Sequence, residues 1–227
     1  ASVLDAMSNV EATRRDKPAT TIHEVVERRA AFLTDYQDAA YARRYRAHVE
    51  RIRTAEASAA SGSSAVTEAV ARNLFRLMAI KDEYEVARLY MDGRFRRQLE
   101  TEFDGYDRLE FHLAPPLFAR RDAQGRPVKV RYREWITAAF GVLARLKRVR
   151  GTWLDVFGHT AERRMERALL TQYAGDLDRV AEWIADGRID AARELASIPE
   201  MIRGFGHVKA ANVARATDAR ARLLERI

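Results

Sequence analysis

Cysteine is absent from the 227 residues. That excludes disulfides, thiolate zinc sites and cysteine-held iron–sulfur clusters from this chain. Lysine is scarce, standing only at 17, 81, 129, 147 and 209, so the basic side is almost wholly arginine. No apolar run approaches the roughly 20 residues that a membrane-crossing helix needs. The first residues, with Asp5, Glu11, Arg14, Arg15 and Asp16, hold no apolar stretch of signal-peptide length. The expectation is a soluble, cytoplasmic protein with no membrane contact. Phosphate-cradling G-x-x-x-x-G-K-[ST], the G-x-S-x-G elbow and H-E-x-x-H are all missing. Histidines at 23, 48, 112, 159 and 207 share no ligand-like spacing. Residue types and spacing thus assign no catalytic residue, no cofactor-binding residue and no metal ligand to this chain.

What is present is folding material. Hydrophobic residues make up 47% and charged residues 32%, a balance that builds a globular core rather than a disordered chain. The net charge of +7 and a pI near 9.9 admit a basic helical nucleic-acid-binding module as an alternative function. Against it, acids are interspersed among the arginines and no helix-turn-helix pattern appears, so nucleic acid is not the expected partner.

Periodicity predicts a mainly α fold: a helical domain over 21–227 with one inserted β-hairpin near 108–135. Residues 1–20 read as a linker or tail. Thr21 opens a helix with Glu24 as its capping-box partner, and one long helix or two nearly continuous ones cover 21–57. The small, polar SAASGSS (58–64) suits a mobile connection. A helix over 65–81 follows, then one capped by Asp82, a break at Asp92-Gly93 and a short helix to Phe103. RLEFHLAPPLFARR (108–121) and VKVRYREW (128–135) alternate around a turn at 122–127. Beyond them come a helix ending at Gly151, a loop over 151–159, a long helix capped by Thr160, a short one limited by Pro199, the loop RGFGH (203–207) and a final amphipathic helix. Trp135, Trp153 and Trp183 are expected in the core, and His112 is expected as a hydrogen-bonded core histidine.

Two clusters invite functional readings. Arg203, His207 and Lys209 crowd a glycine-bearing loop and form a candidate anion or ligand site. Gly204-Phe205-Gly206 superficially resembles a dinucleotide loop, but Lys209 replaces the third glycine, so a helix-to-helix turn with positive φ is expected. Arg121 and Lys129, within a strongly basic hairpin, are candidates for partner docking. Asp186-Gly187 followed by Asn212 has the approximate spacing of a thiamine–magnesium motif. Ala185 and Val213 break that motif, and a helix stop at Gly187 is the better reading.

Long, ordered matches also identify a family. FLTDYQDAAYARRY (32–45), KDEYEVARLYMDG (81–93), FHLAPPLFARRD (111–122), FGHTAERRMERALL (157–170) and IPEMIRGFGHVK (198–209) resemble the C-terminal region of fused bacterial indolepyruvate ferredoxin oxidoreductases. The resemblance implies a parent enzyme that oxidatively decarboxylates an aryl 2-oxoacid, passes the acyl group to coenzyme A and reduces ferredoxin. It implies thiamine diphosphate, magnesium and iron–sulfur clusters held in upstream catalytic domains of the same polypeptide. No cofactor is expected in this segment, which reads as a non-catalytic accessory domain of a homo-oligomer. An acidic ferredoxin is the partner that Arg121 and Lys129 would steer.

Overall fold

The computed structural model describes residues 21–59, 62–103, 109–113, 128, 130–133, 135–204 and 206–227. It is mainly helical, and the chain divides into two compact units. One comprises Thr21–Ile80 with His159–Ile227; the other comprises Lys81–Gly158. Both fall within the single span expected for the helical domain.

The first unit contains α1 (Ile22–Tyr36), α2 (Ala39–Ala59), α3 (Ala65–Met78), α7 (Ala161–Ala185), α8 (Ile189–Ser197) and α9 (Gly206–Arg226). Thr21 and Glu24 form the expected capping box. The 21–57 stretch is two helices, and Asp38 caps the start of the second: its Oδ1 accepts the Tyr41 amide at 2.8 Å. Apolar stripes at helical spacing converge on Leu33, Tyr45, Ile52, Val70, Leu74, Leu177 and Ile184, all essentially inaccessible to water. The Tyr45 hydroxyl donates to the Ala71 carbonyl at 3.0 Å, so this ring is buried without losing its polar partner.

The start of α3 is secured from a distance. Ser64 makes no side-chain cap bond there. Instead Glu56, fully buried near the end of α2, accepts the amides of Val66 at 2.9 Å and Thr67 at 2.8 Å. A carboxylate at a helix N-terminus satisfies orphan donors and complements the helix dipole. Ser63 also donates to Glu56, so the described part of the 58–64 connection is tied to α2.

α7 runs unbroken through Gly175 and stops at Gly187, whose φ is 77°. The Gly187 amide donates to the Ile184 carbonyl at 3.0 Å and the Arg188 amide to the Trp183 carbonyl at 2.7 Å. That pair of bonds is a Schellman stop, which requires the left-handed conformation glycine supplies. A 3-10 turn, Ile198–Met201, follows α8 with Pro199 inside it. α9 begins at Gly206, so the last two residues of the expected 203–207 loop belong to the helix.

The second unit holds α4 (Glu83–Met91), α5 (Arg94–Glu102), β1 (Phe111–Leu113), β2 (Val130–Tyr132), α6 (Ile136–Arg145) and a 3-10 turn, Leu146–Val149. The strands pair antiparallel with Phe111 opposite Tyr132 and Leu113 opposite Val130, as a hairpin requires. The expected turn at 122–127 and Pro115-Pro116 lie outside the described residues. The core is aromatic. Tyr90 stacks on Phe140 at 5.1 Å and meets Phe95 and Phe111 edge-on at 5.0 and 5.1 Å, geometries that the ring quadrupoles favour.

The tryptophans correct the sequence expectation. Trp183 is buried at 7% exposure, but Trp135 is 64% exposed and Trp153 is 84% exposed. In the loop of Trp153 the Asp155 side chain turns inward, while Thr152, Trp153 and Leu154 are left to solvent.

Candidate functional site

Of the expected cluster at 203–209, the side chains of Arg203 and Lys209 are described, and each is engaged by a partner outside that segment. Lys209 lies in the first turn of α9, where the helix dipole disfavours a cation. Glu166 of α7 offsets this: its carboxylate accepts from the Lys209 ammonium and from the Arg163 guanidinium. At 6% exposure this carboxylate is buried, and two cations share it. Removing one partner of such a group commonly costs about 3–5 kcal/mol. Lys209 is therefore committed to a structural ion pair.

Arg203 is exposed, and its Nε donates to the Glu200 carbonyl at 3.1 Å. Its own carbonyl accepts the Asn212 side-chain amide at 2.7 Å, and Asn212 Oδ1 accepts from Arg215. Asn212 thus closes the 203–206 turn onto α9. This and the Schellman stop at Gly187 engage two of the three residues that mimicked a thiamine–magnesium motif, and the third, Asp186, lies 3.8 Å from the Arg188 guanidinium. Gly204 and Gly206 take φ values of 90° and 55°, the positive range expected of them. Of His207, only its place in α9 is described.

Sequence adjacency missed Arg76. It projects from α3, and its Nη1 lies 3.5 Å from the Pro199 carbonyl. Arg76, Arg203 and Lys209 line one cleft of about 120 Å³ together with Glu166 and Gly204. Leu77, Ile80, Leu169 and Ile202 make its apolar walls. No spacing rule links positions 76 and 203; only the packing of α3 against the 3-10 turn after α8 brings them together.

A second polar constellation, within Lys81–Gly158, is closed. Asp82 caps α4 by accepting the Glu85 amide at 2.8 Å, as expected, and also accepts a forked pair of bonds from Arg150. The Arg150 guanidinium lies 5.4 Å over the Tyr84 ring. The Tyr84 hydroxyl donates to Asp155 Oδ1 at 3.0 Å, and Asp155 also accepts the amides of Gly151 and Gly158 at 2.8 and 3.0 Å. Burial, reinforced by the neighbouring Asp155 and Asp82 and opposed by Arg150, pushes the Tyr84 phenol far above its ordinary value. Tyr84 consequently remains a hydrogen-bond donor at any physiological pH. The network locks the 151–158 loop and engages both of its carboxylates, Asp82 and Asp155.

Arg121 and Lys129, the partner-docking candidates, lie outside the described residues, as does the side chain of His112. Among the described residues, no group of three or more histidine and carboxylate side chains could hold a metal ion, and no helix is long and apolar enough to cross a membrane. Compared with known proteins, residues 22–222 match the model of a family described as "Family of unknown function (DUF6537)". No curated protein and no solved structure matches the chain.

Proposed function

The chain belongs to the DUF6537 family, and from that premise we propose that it is a non-catalytic accessory domain of a larger enzyme, one that docks on the catalytic part of its own polypeptide. The parent, on the strength of the ordered motifs shared with fused indolepyruvate ferredoxin oxidoreductases, converts an aryl 2-oxoacid to an acyl-coenzyme A and reduces ferredoxin. Thiamine diphosphate, magnesium and iron–sulfur clusters would belong to that catalytic part.

The observation that carries the docking role is the surface of Lys81–Gly158. Among the described residues, only Met201, Val208 and Ile227 of the exposed large apolar side chains lie elsewhere. Trp135, Val142, Leu146, Trp153, Leu154 and Val156 are all exposed within this unit. Scattered apolar residues are ordinary on a surface, but tryptophans this exposed are typical anchors of protein interfaces. Exposed Arg133, Arg145 and Arg148 neighbour Trp135, Val142 and Leu146 in the chain, so the complementary surface is apolar with an acidic rim. A second copy would oppose like charges. Elsewhere, several surface arginines pair with acids, as in Arg46–Glu27, Arg53–Glu50 and Arg226–Glu194, which weakens the nucleic-acid alternative.

The test is to express the complete reading frame that contains this chain and measure ferredoxin reduction dependent on indolepyruvate and coenzyme A. The proposal expects activity from the complete polypeptide, none from residues 1–227, and loss of assembly in a Trp153→Glu variant. A complete product without such activity refutes the parent reaction; intact assembly in the variant refutes the docking role.

A further inference from the structure

We propose that the cleft between α3, α7 and the start of α9 is a binding site for a small organic oxyanion, a carboxylate or phosphate monoester carried on an aliphatic body, with Arg76 and Arg203 as its recognition residues. The inference stands apart from the proposed parent reaction.

Two arginines line the same cleft, each anchored to a backbone carbonyl. Arg76 uses one amino group on the Pro199 carbonyl and Arg203 uses Nε on the Glu200 carbonyl, successive acceptors of one 3-10 turn. Each retains donors that these bonds do not use, in the planar arrangement that matches carboxylate and phosphate oxygens. Among the described residues neither guanidinium has a carboxylate within salt-bridge distance. The nearest acids are already engaged. Glu166 lies between Lys209 and Arg163, and Glu200 Oε1 accepts the Asn73 amide at 3.4 Å. The lining therefore holds three cations, Arg76, Arg203 and Lys209, against the single carboxylate of Glu166. Like charges that share one cleft repel, and a bound anion relieves the repulsion.

A neighbouring cavity in the same unit shows the filled counterpart. There Arg220 also lines the space, but its fork is occupied by both oxygens of Asp176, and the volume is only about 30 Å³. The Arg76–Arg203 cleft is about 120 Å³. Bare phosphate would leave Leu77, Ile80, Leu169 and Ile202 facing water, so the charged head requires an apolar body to complete the fit. Gly204 preserves the cleft's edge: a Cβ there would meet Val208 Cγ1 at 2.8 Å.

The experiment is calorimetric titration of the 227-residue chain with pentanoate, pentyl phosphate and inorganic phosphate at low and at physiological salt. The expected result is saturable one-to-one binding of at least one pentyl probe, at least tenfold tighter than inorganic phosphate. The tighter pentyl probe identifies the head group. Arg76→Gln and Arg203→Gln each weaken that binding at least tenfold without lowering the thermal midpoint. Arg72→Gln, which removes an exposed cation of α3 paired with Glu68, leaves binding unchanged. Absence of saturable binding by both pentyl probes overturns the proposal. So do equal losses in all three variants, or inorganic phosphate binding as tightly as the pentyl probes.

Discussion

The hydroxyl of Tyr84 donates to Asp155 Oδ1 at 3.0 Å, joining two buried residues 71 positions apart. This bond secures the loop that displays Trp153. Tyr84→Phe removes one donor while Asp155 keeps the amides of Gly151 and Gly158, so the expected cost is about 1 kcal/mol. Asp155→Ala orphans all three donors and should cost about 3 kcal/mol or more. Urea denaturation gives both values, and hydrogen exchange at the Gly158 amide should accelerate far more in Asp155→Ala. Equal small effects would show that the loop is not held by this carboxylate.

Glycines 204 and 206 differ in what surrounds them. At Gly206 a Cβ meets nothing within 4 Å, so alanine pays only the positive-φ penalty, about 1 kcal/mol. At Gly204 the same penalty is joined by a clash with Val208. Gly204→Ala should therefore lower the denaturation midpoint more than Gly206→Ala, and adding Val208→Ala should recover part of the difference. Identical midpoints for the two single variants would contradict this assignment.

Local signals were readable in advance. Thr21, Asp82 and Thr160 cap their helices through amides three residues away, and Gly187 stops α7. Such devices are written in adjacent residues. The missing parts depend on packing between distant segments. Glu56 caps a helix that starts after a connection, Arg76 shares a cleft with Arg203 only through packing between distant segments, and Arg150 finds Asp82 68 positions away. The exposure of Trp153 was equally hidden, because composition favours a buried tryptophan and only the inward turn of Asp155 decides otherwise.

His48 on α2 supplies a pH prediction. Burial first, then Arg51 and Arg44, hold its imidazole below the ordinary 6.5, while Asp178 opposes them. The folded state thus favours neutral His48, whereas the unfolded chain takes up a proton near pH 6.5. Its stabilising contribution is present above that pH and is lost as pH falls from 6.5 toward the lower folded value. The thermal midpoint of the parent chain should fall more between pH 7.5 and 5.5 than that of His48→Gln. Parallel curves would remove His48 from the acid response.

Solvent access at Trp153 tests the docking account most directly. Hydroxyl-radical footprinting read by mass spectrometry compares the 227-residue chain with the complete polypeptide, using Trp183, only 7% exposed, as the internal reference. In the isolated chain Trp153 and Trp135, at 84% and 64% exposure, should oxidise rapidly and Trp183 slowly. In the complete polypeptide the account predicts strong protection of Trp153 and Trp135, with Trp183 unchanged. Oxidation of Trp153 at the same rate in both would contradict it.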